Sequence, residues 1–263
     1  MTFGWEGFSF DHPDDWAPVV LTGNREQGYA RLSSSGRIII QIRWKRMKRP
    51  ADAAGFLDTY LAKMERDARK GKGGFRSERS EDNGRLTYRY SGDNFGKGAL
   101  FQPPDDGRAF VLEVASTKDD SLGPLLRQAL GSFRTDPQVD RWSAFGLDVV
   151  LPKGLEVERK DFRAGKTLVS FKAKRVRLSA ERWGFADQLL AKHGLEPWAR
   201  AIFDAKGAAV TAEGDGIRLT IPTTPIRPGT EAIVRPQLER NQIVVIRSTT
   251  RDAKWRPQWD WLK

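Results

Sequence analysis

The sequence predicts an α+β protein made of two tandem repeats, each a largely antiparallel sheet covered by helices. Three observations point there. A nonapeptide nearly recurs, "GFLDTYLAK" at Gly55–Lys63 and "GFADQLLAK" at Gly184–Lys192. Apolar residues recur with period two before it and with helical spacing within it. The 263 residues have 39% hydrophobic content, ordinary for packed domains and long enough for two.

Taken in order, "FSFDHPDDW" reads as an aromatic strand stopped by Pro13, matched later by "FGLDVVLPKGL" and Pro152. "RIIIQIRWK" is a β-branched strand that turns Ile40, Ile42 and Trp44 to the core, as Val169, Phe171 and Ala173 do in the second repeat. A helix follows. Pro50 suits its first turn and Asp52 its positive end, and Ala53, Phe56, Leu57, Tyr60, Leu61 and Met64 form its apolar stripe. In the second repeat Ser179 and Glu181 take the helix-start positions, and Phe185, Ala186, Leu189 and Leu190 repeat the stripe. Strands such as "RAFVLEVAS" and "QIVVIRSTT" come next, entered through the turns "QPPDDG" and "PQLERN". A last helix, "GPLLRQALGSF", closes the first repeat. The second ends within its equivalent, with Trp255 and Trp259 aligned on Leu122 and Leu126.

A shift of 129 positions lays Ile42–Lys63 over Phe171–Lys192 without a gap. Basic residues then coincide at Arg43/Lys172, Lys45/Lys174, Arg46/Arg175 and Lys48/Arg177. Further matches occur in order, "NGRLTYRY" on "DGIRLTIP" and "RAFVLEVAST" on "NQIVVIRSTT". The repeats are therefore 1–138 and 139–263, with the polar, Pro-containing "FRTDPQVDRW" as the joint.

The aromatic strand ending in Pro and Trp, the helix-covered middle and the closing "LLRQALGSF" resemble the PsbP/DcrB-like superfamily. The resemblance covers the first repeat and reaches the second through the internal match, where the Trp after the Pro and the closing Ser-Phe are missing. It implies a PsbP-like sandwich fold and non-enzymatic domains serving as accessory subunits, adaptors or chaperones. Function must still come from a site.

Composition narrows the classes. No run of 18 apolar residues occurs, so no membrane span is expected, and the N-terminus lacks a signal-peptide pattern. With no cysteine, thiol catalysis and thiolate metal sites are excluded, and a cytoplasmic location is expected. Forty-five Lys and Arg against 34 Asp and Glu leave a net charge of +11, an electrostatic hint of an anionic partner (nucleic acid, acidic protein or membrane surface), with a plain excess of solvated Arg and Lys as the bland alternative. Residues 1–138 hold 22 basic and 19 acidic groups and residues 139–263 hold 23 and 15, so the second repeat is the more cationic.

The candidate surface is the duplicated basic strand: Arg43, Lys45, Arg46 and Lys48, with Lys172, Lys174, Arg175 and Arg177. Period-two spacing puts Arg43 and Lys45 on one sheet surface, about 7 Å apart, opposite the apolar face. The bland reading is a solvated strand charged against aggregation. The C-terminal "KWRPQWDWLK" adds Trp261, aligned with polar Gln128, as a ring able to stack on a base.

Catalytic motifs are lacking. His193 ends a helix before Gly194, His12 sits in a turn before Pro13, and neither has triad or zinc partners at recognisable spacing. "DHPDD" is no calcium loop, and "KGKGG" is no phosphate loop because it leaves a helix instead of opening one. No metal and no cofactor are expected. The expectation is a non-catalytic protein that shows its basic faces to an acidic protein partner. The alternative is nucleic-acid binding through the basic strands and the Trp/Arg tail.

Overall fold

The computed structural model describes residues 1–34, 36–48, 52–82, 84–204, 207–224 and 227–251. Two compact units divide the chain, Met1–Ala144 and Phe145–Lys263.

The first unit opens with a hairpin of β1 (Thr2–Trp5) and β2 (Phe8–Asp11). Its turn residues Glu6 and Gly7 have φ of 48° and 85°, the left-handed pair that a tight two-residue hairpin needs. Then come β3 (Ala17–Gly23), β4 (Gln27–Ser33), β5 (Ile39–Arg46), α1 (Asp52–Lys70), β6 (Phe75–Asp82), β7 (Arg85–Gly92), β8 (Phe95–Phe101) and β9 (Arg108–Ser116). The unit closes with α2 (Gly123–Gly131) and β10 (Val139–Ala144). Because β10 pairs with β1, the boundary falls after Ala144, a little later than the 138/139 joint read from the sequence.

Seven strands form one sheet in the order β3-β4-β5-β9-β8-β7-β6, all antiparallel. Two meanders meet at β5 and β9, and α1 carries the chain from β5 to the far edge at β6. Each face has its own core. On one, Leu57 and Leu61 of α1 are buried against Leu100, Val111 and Ala115. On the other, Ile40, Ile42 and Trp44 are fully buried, and the Phe8 ring of the hairpin sits 5.1 Å from Trp44 and 5.3 Å from Phe110. Each such side chain contributes about 1.5–3 kcal/mol by leaving water. The strand and helix stripes expected here are both present.

The second unit holds β11 (Leu147–Pro152), β12 (Glu156–Arg163), β13 (Lys166–Ala173), β14 (Val176–Gly184), α3 (Ala186–Ala191) and α4 (Leu195–Ile202). It continues with β15 (Ala209–Glu213), β16 (Gly216–Ile221), β17 (Gly229–Gln237), a single 3-10 turn (Leu238–Arg240) and β18 (Gln242–Thr250). Its sheet runs β12-β13-β14-β18-β17-β16-β15, also antiparallel throughout. This is the order of the first sheet displaced by nine strands. One core gathers Ala186, Trp198 and Ala199 of the helices against Val234, Ile243 and Val245.

Four expectations need correction. The second-repeat helix does not start near Ser179: β14 runs on to Gly184, and Ser179 and Glu181 are buried within it. Nine residues of β14 pair with the apolar β18, and that ladder overrides a local helix-start pattern. Phe185 is not in the apolar stripe either; it caps α3 in the left-handed region with φ 62° and is 55% exposed. The 129-residue shift lays β5 on β13, whereas strand order pairs β5 with β14, so the aligned basic residues occupy different places in the two sheets. Finally, the sheets outgrow their helices. A helix about 10 Å wide overlies roughly two strands at about 4.8 Å spacing, far short of seven.

Candidate functional site

The basic residues singled out in the sequence separate into three environments. Arg43 is half-buried on the α1 side of β5, where its guanidinium lies 4.2 Å from the Tyr29 ring and 5.6 Å from the Tyr60 ring. Its Nε is buried without a hydrogen-bond partner. Arg43 therefore does not project into water as expected, because two phenol rings hold it by cation–π contact. Arg46 is exposed and paired with Glu26, while Lys45 and Lys48 are exposed at and beyond the end of β5. In the second unit the four residues converge. Lys172 on β13 faces Arg177 on β14 across the ladder, and Lys174 and Arg175 form the exposed turn between them, Lys174 with φ 34°. Glu156 lies 3.9 Å from Lys172 and Glu158 lies 3.4 Å from Arg177. Trp261, Trp255 and Trp259 lie outside the described residues, as does Pro50.

Of the histidines, His12 is buried with Nδ1 2.8 Å from the Pro13 carbonyl, and burial lowers its pKa. His193 is exposed in the turn after α3. Among the described residues no group of three or more His, Cys, Asp or Glu side chains gathers as metal ligands.

A second site was not singled out in the sequence. Glu113, in the middle of β9, is fully buried. Its Oε2 accepts hydrogen bonds from the hydroxyls of Tyr60 at 2.9 Å and Tyr88 at 2.6 Å. Its Oε1 accepts from the Tyr90 hydroxyl at 2.8 Å and from the Gln41 amide. The Tyr29 hydroxyl in turn donates to Gln41 Oε1 at 2.7 Å. A carboxylate offers about four acceptor positions, and all four are filled. The chain has four tyrosines, and every one belongs to this network. Burial, and then the Glu113 charge, push the phenols of Tyr60, Tyr88 and Tyr90 well above their ordinary value near 10; burial raises that of Tyr29 as well. The hydroxyls thus stay protonated and donate.

Glycine makes this geometry possible. Tyr88 and Tyr90 on β7 stand opposite Gly98 and Gly96 on β8, and Gly98 stands opposite Glu113 on β9. A Cβ on Gly98 would come within 2.4 Å of the Tyr88 ring, and one on Gly96 within 2.2 Å of the Tyr90 ring. The rings therefore lie flat across β8 and deliver their hydroxyls to the next strand. The signal in the sequence is "YRY" followed by "GKG" and a lone Glu inside an apolar strand.

Next to this network opens a cavity of about 630 Å³ beneath the C-terminal half of α1. Ile39, Met64, Phe75 and Ala115 give it apolar walls, and Gln41 and Tyr90, both tied to Glu113, line its inner side. The second unit has a buried glutamate too. Glu181 receives Lys166 at 3.1 Å and the Trp183 indole N–H at 3.2 Å, with Arg247 at 3.9 Å. These cations settle its charge without a tyrosine cage.

No family model matches the chain, and no curated protein matches it. Among solved structures it is similar to cyanobacterial PsbP (CyanoP) from Synechocystis sp. PCC 6803, a solution structure. The identity is 14% and the TM-score 0.40, over 52% of this chain and 92% of that one. The chain thus has a weak, fold-level resemblance to PsbP, which says nothing of what it does. No helix among the described residues is long and apolar enough to cross a membrane.

Proposed function

We propose that the protein is a non-catalytic partner-binding protein, an adaptor, accessory subunit or chaperone, that presents basic sheet surfaces to an acidic protein partner. We also read the chain as a tandem duplication of one PsbP-like unit; the shared strand order supports that reading. The observation that carries the functional reading is the β13–β14 hairpin. Within six residues it exposes Lys172, Lys174, Arg175 and Arg177, with only Glu156 and Glu158 paired nearby. Glu156 and Glu158 offset Lys172 and Arg177, which leaves Lys174 and Arg175 at the exposed turn to steer an acidic partner and fix its register. The first-unit strand contributes less, because Arg43 is stacked on tyrosines and Arg46 is paired.

The test is a pull-down from the native cell with the full chain, scored for protein and nucleic acid, beside the variant K172S/K174S/R175S/R177S. Four rim charges at about 0.5–1 kcal/mol each predict a loss of capture of roughly thirtyfold or more, with little change in melting temperature. Equal capture by the folded variant would overturn the reading. Retention of nucleic acid, weakening steeply with salt, would favour the nucleic-acid alternative instead.

A further inference from the structure

The 630 Å³ cavity of the first unit lies within the size range of small-molecule sites, about 300–1,000 Å³. Its inner side is fixed in advance. Gln41 and Tyr90 cannot turn freely, because both are hydrogen-bonded to a glutamate that has no exposed surface. The lining is mixed: Ile39, Met64, Phe75 and Ala115 give an apolar patch that suits the body of a ligand, beside the polar Asn94, Ser116 and Thr117.

The polar groups at the mouth are sorted by side. Arg31 stands on β4 in register with Gln41 on β5, which is in register with Glu113 on β9. Period two therefore turns Arg31 to the same face as the Glu113 network. Arg37, just before β5, is already held at Nε and Nη2 by Asp120. Arg31 has no carboxylate within 4 Å among the described residues. On the other side Asp67 of α1 and Asp93 of the β7–β8 turn line the mouth. Sheet order puts the turn three to four strands from β4, about 14–19 Å.

We propose that this cavity binds a small amphipathic carboxylate, with an aromatic or branched aliphatic body on the apolar patch and one acid group on Arg31. Gln41, in register with Arg31, presents a fixed polar edge beside that acid. The two aspartates repel a second acid, which selects monoanions over dianions. This site is independent of the basic hairpin of the second unit.

The probes are 4-phenylbutyrate and its uncharged amide, titrated into the full chain by calorimetry and by displacement of 1-anilinonaphthalene-8-sulfonate. The acid is expected to bind about five- to tenfold tighter than the amide, the worth of one charge-assisted pair. Arg31→Gln should erase that preference. Ala68→Trp, which puts an indole into the space under α1, should abolish binding of both while the melting curve stays cooperative. Failure of both probes to saturate at millimolar concentration, equal binding of acid and amide, or binding that survives in folded Ala68→Trp would overturn the site. If Ala68→Trp does not fold, the acid-to-amide ratio in Arg31→Gln decides alone.

Discussion

Replacing one oxygen of Glu113 by an amide nitrogen is the sharpest probe of the buried network. Glu113→Gln keeps the shape, yet it turns an NH₂ toward hydroxyls that are themselves donors. At least one tyrosine or Gln41 then loses its acceptor inside the protein. The expected cost is about 2–4 kcal/mol, read from urea unfolding of the variant against the parent. A loss below 1 kcal/mol would mean that water reaches the site (about the value of an ordinary exposed polar change). Glu113 was not legible from the sequence, because a lone acid in "RAFVLEVAS" looks like the solvent face of a strand. Its partners come from α1, β5 and β7, and only the fold brings them together. The same holds for Arg43: alternation with Trp44 sets its face, but the Tyr29 and Tyr60 rings that cover it reach that face only through the fold.

At the level of elements, the strip formed by β7, β8 and β9 depends on two glycines. Gly98→Ala would drive a methyl group into the Tyr88 ring, whose hydroxyl is anchored at Glu113. Either the ring leaves its acceptor or β8 shifts, and both cost about 2–3 kcal/mol. Thermal unfolding checks this, and adding Tyr88→Phe should recover only part of the loss, since ring carbons as well as the hydroxyl oxygen meet the new methyl and the carbons remain. Most elements were legible because alternation and helical spacing follow directly from which face is buried: Ile40, Ile42 and Trp44 in β5, Leu57 and Leu61 in α1. The start of α3 was not. Ser179 and Glu181 form a plausible helix entry in isolation, and only the partner strand β18, far along the chain, decides otherwise.

For the whole molecule, the excess positive charge lies mostly in the second half, and the exposed hairpin of β13 and β14 concentrates it. Partner capture should therefore fall as ionic strength shortens the reach of those charges, from about 10 Å at 0.1 M salt to about 3 Å at 1 M. The recurrence in the sequence pointed to two sheets of one design. Two of its segment matches, β7 with β16 and β9 with β18, coincide with the strand orders. The gapless match, basic strand on basic strand, is out of place by one strand. Similar composition in neighbouring strands is enough to produce it, whereas strand position depends on pairing that no short segment encodes.

The gathering of all four tyrosines around one carboxylate gives the chain a built-in optical label. Ultraviolet absorbance near 295 nm, where ionised phenol absorbs, should stay flat through about pH 10, the range in which free tyrosine titrates. Because the folded phenols hold their protons above that value, stability is full below it and drains away as alkalinity increases, since the unfolded chain releases protons sooner. The tyrosinate signal should then rise in one step together with loss of the native circular dichroism. Ordinary tyrosine titration ahead of unfolding would mean that the cage is open in solution.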